Sequence, residues 1–378
     1  MKIVIAMDSF KGSLSSLQAG RAVLRGIRRL YPDEEVIVRP LADGGEGTVE
    51  ALTLGMRGRL ENVRVMGPLG GPVNATYGIL GEKKTAIIEV SQAAGITLVP
   101  EEKRNPLYTT TYGVGELIAH AIHNGCRHFI IGLGGSATND GGAGMLQALG
   151  FEFLDEKGKA IPFGAEGLSV LWEIRTAKVL PELSECDFRI ACDVNNPLCG
   201  EEGASYVFAP QKGADMESVK RMDWWLKEYA LLAAEHFPRA DRLRAGTGAA
   251  GGLGFAFLTF LNSELQSGID IVLDETGLEE YIKDADLIIT GEGRLDGQTV
   301  MGKAPIGVAR LGKKYGKRVV ALGGSVSDEA RHCHAQGIDA LFSITQGPMS
   351  LSKAMQPEMA RKNLAMTAEQ IMRLLKDE

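Results

Sequence analysis

Six short runs of β-branched and other apolar residues constrain this chain most: KIVIAM (2–7), EVIVRPL (35–41), HFIIGL (128–133), DLIIT (286–290), RVVALG (318–323) and ALFSI (340–344). Their apolar residues follow one another instead of alternating with polar ones, which suits strands buried on both faces of a parallel sheet. Helical patterns lie between several of them, at residues 14–30, 47–54, 113–125 and 304–316. Alternating β and α segments with short connections predict an α/β fold: a Rossmann-like or flavodoxin-like, doubly wound parallel sheet. The opening MKIVIAMDSF meets Asp8 after one apolar run, so it is expected to be a first strand and not a secretion signal.

Two stretches break the rhythm. Residues 59–108 alternate like antiparallel strands, and residues 151–279 open with FEFLDEKGKAI, whose DEKGK is a hairpin-turn signal. The latter continue through a strand-like FRIACDV and a long helical pattern over 216–237, where Trp224, Trp225, Tyr229 and Phe237 are expected to anchor a core. At 378 residues the chain exceeds the roughly 250–300 that one core supports. The expected division is a Rossmann-like domain of residues 1–58, 109–150 and 280–378, with a second, discontinuous α/β domain of residues 59–108 and 151–279. The active site is expected in the cleft between them, where ligand sites concentrate.

Composition excludes several classes. A net charge of −7 argues against a nucleic-acid surface, which needs clustered positive charge. No stretch approaches the ~18 consecutive apolar residues of a membrane span. The five cysteines share no CxxC spacing and read as reduced thiols of a cytoplasmic protein, with neither a disulfide frame nor a zinc site. Glycine, at 48 residues, is abundant and gathers in short loops after apolar runs.

Those loops carry the chemistry. In HFIIGLGGSATNDGGAGMLQALG (128–150), an apolar run breaks into Gly134 and Gly135, then Ser136, Thr138, Asn139 and Asp140, before a helical pattern. Strand, polar glycine loop and helix start present backbone N–H groups to an anion. Further glycine or acidic loops hold Asp8, Ser9 and Lys11; Asp43 and Glu46; Asp193 and Asn195; residues 248–254; and Arg294 with Asp296. Loops that follow strands of one parallel sheet meet at its carboxyl edge. Asp8, Lys11, Asp43, Glu46, Asp140, Arg294 and Asp296 are therefore expected to converge, with Asp193 facing them from the other domain. So many carboxylates in one crevice repel and lose hydration unless cations compensate. Lys11 and Arg294 supply part of that charge, and Mg²⁺ held by one or two carboxylates with substrate phosphates would supply the rest. Lysine, arginine, Mg²⁺ and amide-rich loops are the equipment of phosphoryl transfer.

Two look-alikes point elsewhere. GQTVMGKA (297–304) is one residue short of a P-loop, and Ala304 lacks the hydroxyl that holds Mg²⁺. GEGRLDG (291–297) imitates a dinucleotide fingerprint and keeps open a rival reading, an NAD(P)-dependent oxidoreductase of a small hydroxy acid. Its three charges, however, stand where a pyrophosphate wants small residues.

Taken in order, DSFKGSLSS, PLADGGEGT, GLGGSATNDGGAG, CDVNNPLCG, GAAGGLGF and ITGEGRLDGQ closely resemble the motifs of the bacterial type I glycerate kinases. The resemblance runs from residue 1 to the C-terminal helix. It implies a Rossmann-like domain and a second α/β domain with the site between them. The implied activity is transfer from ATP, with Mg²⁺, to D-glycerate, giving mainly 2-phosphoglycerate and in some members 3-phosphoglycerate. Small molecules are then the expected partners, and the chain is expected to act as a monomer or homodimer. Matched motif by motif, Asp8, Ser9 and Lys11 would meet phosphate or carboxylate groups. Asp43 and Glu46 would lie near Mg²⁺ or glycerate, and Gly134, Gly135, Ser136, Thr138, Asn139 and Asp140 would bind nucleotide phosphates. Asp193 would be the general base, beside Asn195, and Arg294 would hold the glycerate carboxylate. Asp296 would ligate Mg²⁺ or replace Asp193 as base.

Overall fold

The computed structural model describes residues 1–42, 47–81 and 84–375. Its strands, in chain order, are β1 (Lys2–Met7), β2 (Glu35–Val38), β3 (Arg59–Met66), β4 (Pro72–Leu80), β5 (Thr85–Glu89), β6 (His128–Gly132) and β7 (Glu152–Leu154). They continue as β8 (Glu173–Arg175), β9 (Asp187–Ala191), β10 (Ser263–Gln266), β11 (Leu287–Leu295), β12 (Arg318–Val326) and β13 (Ala340–Ser343). The chain divides into two compact units. One comprises Met1–Asp43, Glu50–Met56 and Ile269–Glu378; the other comprises Gly44–Val49 and Arg57–Gly268.

The first unit holds a five-stranded sheet in the order β13-β12-β11-β1-β2, with every pairing parallel. Numbered within the unit, this is 2-1-3-4-5, the flavodoxin-like doubly wound order. Ile3, Ile5, Met7, Ile289 and Leu322 share a core with the helices Ser16–Arg28 and Pro357–Leu374. On the opposite face, Ile288 and Val319 lie against Gly312 of the helix Ala304–Lys314. Cover on both faces is why the apolar runs do not alternate. Helix Ser16–Arg28 starts at a capping box in which Ser15 and Gln18 exchange side-chain-to-backbone hydrogen bonds.

The second unit holds a six-stranded sheet in the order β10-β9-β6-β5-β4-β3. Strands β10, β9, β6 and β5 run parallel, whereas β4 is antiparallel to both of its neighbours. Antiparallel pairing within 59–108 thus joins β3, β4 and β5, and the last run, Thr85–Glu89, also forms a parallel ladder with β6. The DEKGK turn closes through a hydrogen bond from the Asp155 N–H to the Lys159 carbonyl, although β7 makes its main ladder with β8. In the helix Met216–Ala234, Tyr229 is fully buried and stacks on Phe260 at 6.1 Å between ring centroids. Phe237 reaches the same Phe260 at 4.4 Å, and Trp225 is partly buried. Trp224 does not join this core: it is 56% exposed, with the Lys227 ammonium over its ring.

The observed units differ from the expected domains in the placement of residues 109–150. Strand β6 pairs with β5 and β9 in the second unit, not with β1 or β11 in the first. A doubly buried parallel strand has the same sequence pattern in either sheet, because side-chain periodicity records burial and not the identity of the neighbouring strand. Residues 269–279 move the other way, into the first unit.

At Gly26 the helices Ser16–Arg28 and Pro357–Leu374 approach so closely that a Cβ would lie 2.1 Å from the Ala365 carbonyl oxygen. Gly26→Leu is expected to force these helices apart and to lower stability by about 1–3 kcal/mol. Urea denaturation should show a lower midpoint with an unchanged slope.

Candidate active site

In a 2-1-3-4-5 sheet the winding reverses between the first and third strands, leaving a crevice outside their carboxyl ends. Here those strands are β1 and β11, paired through Met7 and Gly291. Asp8 follows β1 immediately; it is 3% exposed, and its Oδ1 accepts from the Ser9 N–H at 2.6 Å. The loop then tightens at Phe10, whose N–H donates to the Leu14 carbonyl, and this leaves Lys11 exposed. A Cβ on Gly293 would lie 3.6 Å from the Lys11 backbone nitrogen, so the end of β11 runs directly beside this loop.

That strand end carries three charged side chains. Glu292 is buried and accepts from the Thr299 hydroxyl at 2.7 Å. Asp296 caps the short helix Gly297–Val300: its Oδ1 accepts from the Gln298 N–H at 2.9 Å and from the Thr299 N–H at 3.4 Å. Its Oδ2 stands 3.1 Å from Arg294 Nε. The Arg294 side chain is 70% exposed, and its two terminal nitrogens donate to no protein acceptor among the described residues. Asp296 therefore caps a helix with one oxygen and pairs with Arg294 through the other. The GEGRLDG segment is strand through Leu295 and not a glycine loop, which removes the basis of the dinucleotide reading.

In the second unit, β5, β6, β9 and β10 run parallel, so the segments after them share one edge of the sheet. Asp193 lies two residues past β9; it is exposed, and its Oδ1 accepts from the Gly268 N–H at 3.1 Å. Asn195 is also exposed. Glu89, the last residue of β5, was not anticipated. It is 3% exposed and accepts from the Val49 N–H at 2.9 Å and more weakly from the Ser91 hydroxyl. Its signal was present: TAIIE is an apolar run ending in an acid, the same pattern as KIVIAM before Asp8.

The loop from Gly134 to Asp140 follows β6. Gly134 and Gly135 are exposed, and their N–H groups donate to no protein acceptor among the described residues. The remainder turns inward. The Ala137 carbonyl accepts from the Thr109 hydroxyl, and Asn139 Nδ2 donates to the Ser205 hydroxyl at 2.8 Å. Thr138 Oγ1 and Asn139 Oδ1 are buried and have no hydrogen-bond partner among the described residues. Asp140 is fully buried and accepts from the Thr111 N–H and hydroxyl and from the Gly142 and Gly144 N–H groups. Burial pushes its carboxyl above the ordinary range, and those hydrogen bonds draw it back. Behind the loop, Gly251 (φ +69°) brings its backbone so close that a Cβ would meet the Thr138 carbonyl oxygen at 2.0 Å. The GAAGGLG motif thus serves as a backing for this loop, where only glycine fits.

Lys212 completes the backing and gave no sequence signal, since APQKGAD reads as an ordinary surface turn. It is 3% exposed, and its Nζ donates to Ser136 Oγ at 2.9 Å and to the Thr138 carbonyl at 2.7 Å. Loss of hydration lowers its pKa to about 7, against a small opposing pull from Asp140. Tyr229, whose hydroxyl is buried without a partner among the described residues, is held well above its ordinary range by the same desolvation.

The expected convergence on one edge is therefore realised in two parts. Asp8, Lys11, Arg294 and Asp296 gather in the first unit. Asp140 belongs with Asp193 in the second unit because β6 does, and its side chain supports the loop and does not face a ligand. Asp43 and Glu46 lie outside the described residues.

Parallel α/β sheets with acids and open amides at their carboxyl edges are an architecture that binds small, often phosphorylated, ligands in enzymes. A sequence profile described as "Glycerate kinase family" matches residues 3–376. The chain is 48% identical to a glycerate kinase of Haemophilus influenzae, across 99% of both chains. It is also 48% identical to a glycerate 2-kinase of Escherichia coli, across 94% of this chain and 93% of that one. A crystal structure of a protein assigned as glycerate kinase 2 from Salmonella typhimurium LT2 superimposes with a TM-score of 0.92 at 48% identity, covering 99% and 98% of the two chains. The chain belongs to the glycerate kinase family.

The lysine shift has a consequence for stability. Unfolded, Lys212 titrates near its ordinary 10.5, whereas in the fold it titrates near 7. Between those values the unfolded chain binds more protons, so this group favours the fold increasingly as pH rises and disfavours it most below pH 7. The stability of the native protein relative to Lys212→Met should therefore rise from pH 7 to pH 9 in urea titrations.

Proposed function

We propose that this protein transfers the terminal phosphoryl group of ATP, with Mg²⁺, to a hydroxyl of D-glycerate, giving 2-phospho-D-glycerate. The observation that carries the reading is near-half identity, over almost the whole length, to the glycerate 2-kinase of Escherichia coli. The placement of the motif residues at the carboxyl ends of parallel strands supports it.

The residues fit such chemistry. Mg²⁺ needs only one or two carboxylates besides phosphate and water oxygens. Among the described residues no group of three or more His, Cys, Asp or Glu side chains forms a ready-made metal cage. Asp296, whose Oδ2 is not used in the helix cap, is the described residue assigned to the ion; Asp43 is assigned with it from the motif match. When bound, the ion would neutralise charge on the phosphates.

The chain's own groups do the rest. The open N–H groups of Gly134 and Gly135, with the Ser136 hydroxyl, bind phosphate oxygens, while Thr138 and Asn139 shape the loop. Lys11, and the turn that holds Asp8 and Ser9, meet phosphate or carboxylate oxygens. Glu46 is assigned to the glycerate side by the motif match alone. The terminal nitrogens of Arg294, with no protein acceptor among the described residues, grip the glycerate carboxylate in a bidentate fork. Asp193, exposed and beside Asn195, orients the attacking hydroxyl and receives its proton late, as a carboxylate does in phosphoryl transfer. The established surroundings of Asp296 favour Asp193 as the base, because one Asp296 oxygen already caps a helix.

Phosphorus NMR of the product, backed by enolase-coupled and mutase-coupled assays, tests the reading. ATP consumption that requires both D-glycerate and Mg²⁺ and yields the 2-phosphate is expected; a 3-phosphate product would reassign the attacking hydroxyl. Asp193→Asn should lower kcat by about 10²–10⁴-fold with the fold and ATP affinity kept; retained turnover would move the base to Asp296. Arg294→Lys should raise the KM for glycerate more than that for ATP, since a point charge replaces a fork.

A further inference from the structure

Lys212 is held more firmly than a surface lysine. It ends the short turn Pro210–Lys212, where the Lys212 N–H donates to the Ala209 carbonyl at 3.0 Å. The next residue, Gly213 (φ +94°), packs so tightly that a Cβ would meet the Arg104 carbonyl oxygen at 2.1 Å. The turn therefore has little freedom, and the ammonium is delivered to one place beneath the Gly134–Asp140 loop. A buried charge of this kind costs stability unless its hydrogen bonds and surroundings compensate. An apolar residue would fill the same space without that cost.

The chemistry of the contact is one-sided. An ammonium has three N–H donors and no lone pair. In the protonated form of Lys212, which prevails below pH 7 and which the negative charge of a bound phosphate favours, Ser136 Oγ is therefore the acceptor in their 2.9 Å contact. The Ser136 hydroxyl hydrogen is left to another acceptor, and none is supplied by the protein among the described residues. The neighbouring Gly134 and Gly135 are exposed, and their own N–H groups have no protein acceptor among the described residues. A second Lys212 bond, to the Thr138 carbonyl, fixes the backbone two residues on. The result is a row of donors with the same polarity.

We propose that Lys212 is a positioning residue for the nucleotide: from beneath the loop it obliges the Ser136 hydroxyl to donate outward, to a phosphate oxygen. This rests on the reading of Gly134–Ser136 as a phosphate-binding segment. Lys212 itself touches no phosphate. It acts through Ser136 and the Thr138 carbonyl, and its effect belongs to nucleotide affinity, not to glycerate.

The test is a double-mutant cycle on the full-length protein with Lys212→Met, Ser136→Ala and the pair, measuring binding of Mg·AMP-PNP by calorimetry and both KM values by steady-state kinetics. Each single variant is expected to weaken AMP-PNP binding by about tenfold. The pair should be no weaker than about the worse single, because both remove the same donor. The KM for glycerate should stay within about twofold, a split that general loosening of the fold would not give. If Lys212→Met does not fold, Lys212→Gln, one bond shorter, replaces it with the same expected coupling. Loss of affinity in Ser136→Ala but not in the lysine variant, or losses that multiply in the pair, would overturn the role of Lys212 and leave the phosphate segment standing. Unchanged affinity in Ser136→Ala would overturn both.

Discussion

Parallel strand pairing is the constraint from which the rest of this molecule follows. Two parallel neighbours cannot be joined by a tight turn, so the chain must cross back over a face of the sheet, and each strand's outgoing loop is left at the same edge. In the first unit the winding reverses between β1 and β11, and the loops on either side part there. That is where Asp8, Lys11, Glu292, Arg294 and Asp296 are found. In the second unit the same rule brings the segments after β5, β6 and β9 to one edge, and with them Glu89, Ser136 and Asp193. Residues far apart in sequence become neighbours without any local signal connecting them.

The loop after β6 shows how such an edge is held in shape. Its outer glycines face solvent, while the residues behind them turn into the protein interior. Asp140 gathers N–H groups from Thr111, Gly142 and Gly144, and Lys212 fastens Ser136 and Thr138. The Gly251 backbone closes the rear. A buried lysine and a buried aspartate are poor choices for stability alone, since both lose hydration. What they provide is direction: a carboxylate can only accept, an ammonium can only donate, and together they leave a backbone with one preferred geometry.

Much of the site was legible in the residues, and the exceptions have physical causes. Asp8, Arg294 and Asp296 follow or end strands whose apolar runs are plain, so their gathering could be foreseen. Asp140 stands in an equally polar, glycine-rich run, yet its side chain turns inward. Residue type does not reveal which side of a loop a carboxylate serves, since N–H groups converge from both. Lys212 was invisible because it is buried against Ser136 and Thr138, which come from elsewhere in the chain. Glu89 ends an apolar run as Asp8 follows one, but β5 is antiparallel to β4 and parallel to β6, and only the pairing with β6 puts Glu89 at the shared edge.

By itself the sequence determined the local alternation of buried strand and amphipathic helix, the polar glycine loops that interrupt it, and the family motifs those loops spell. These depend on near neighbours along the chain, whose periodicity and turn chemistry are written in adjacent residues. Only the tertiary structure decided that β6 joins β5 and β9, that Asp140 faces inward, and that Lys212 lies beneath the loop. The reason is that strand partnership and desolvation arise from residues distant in sequence, and a side chain's pattern records that it is buried but not by what.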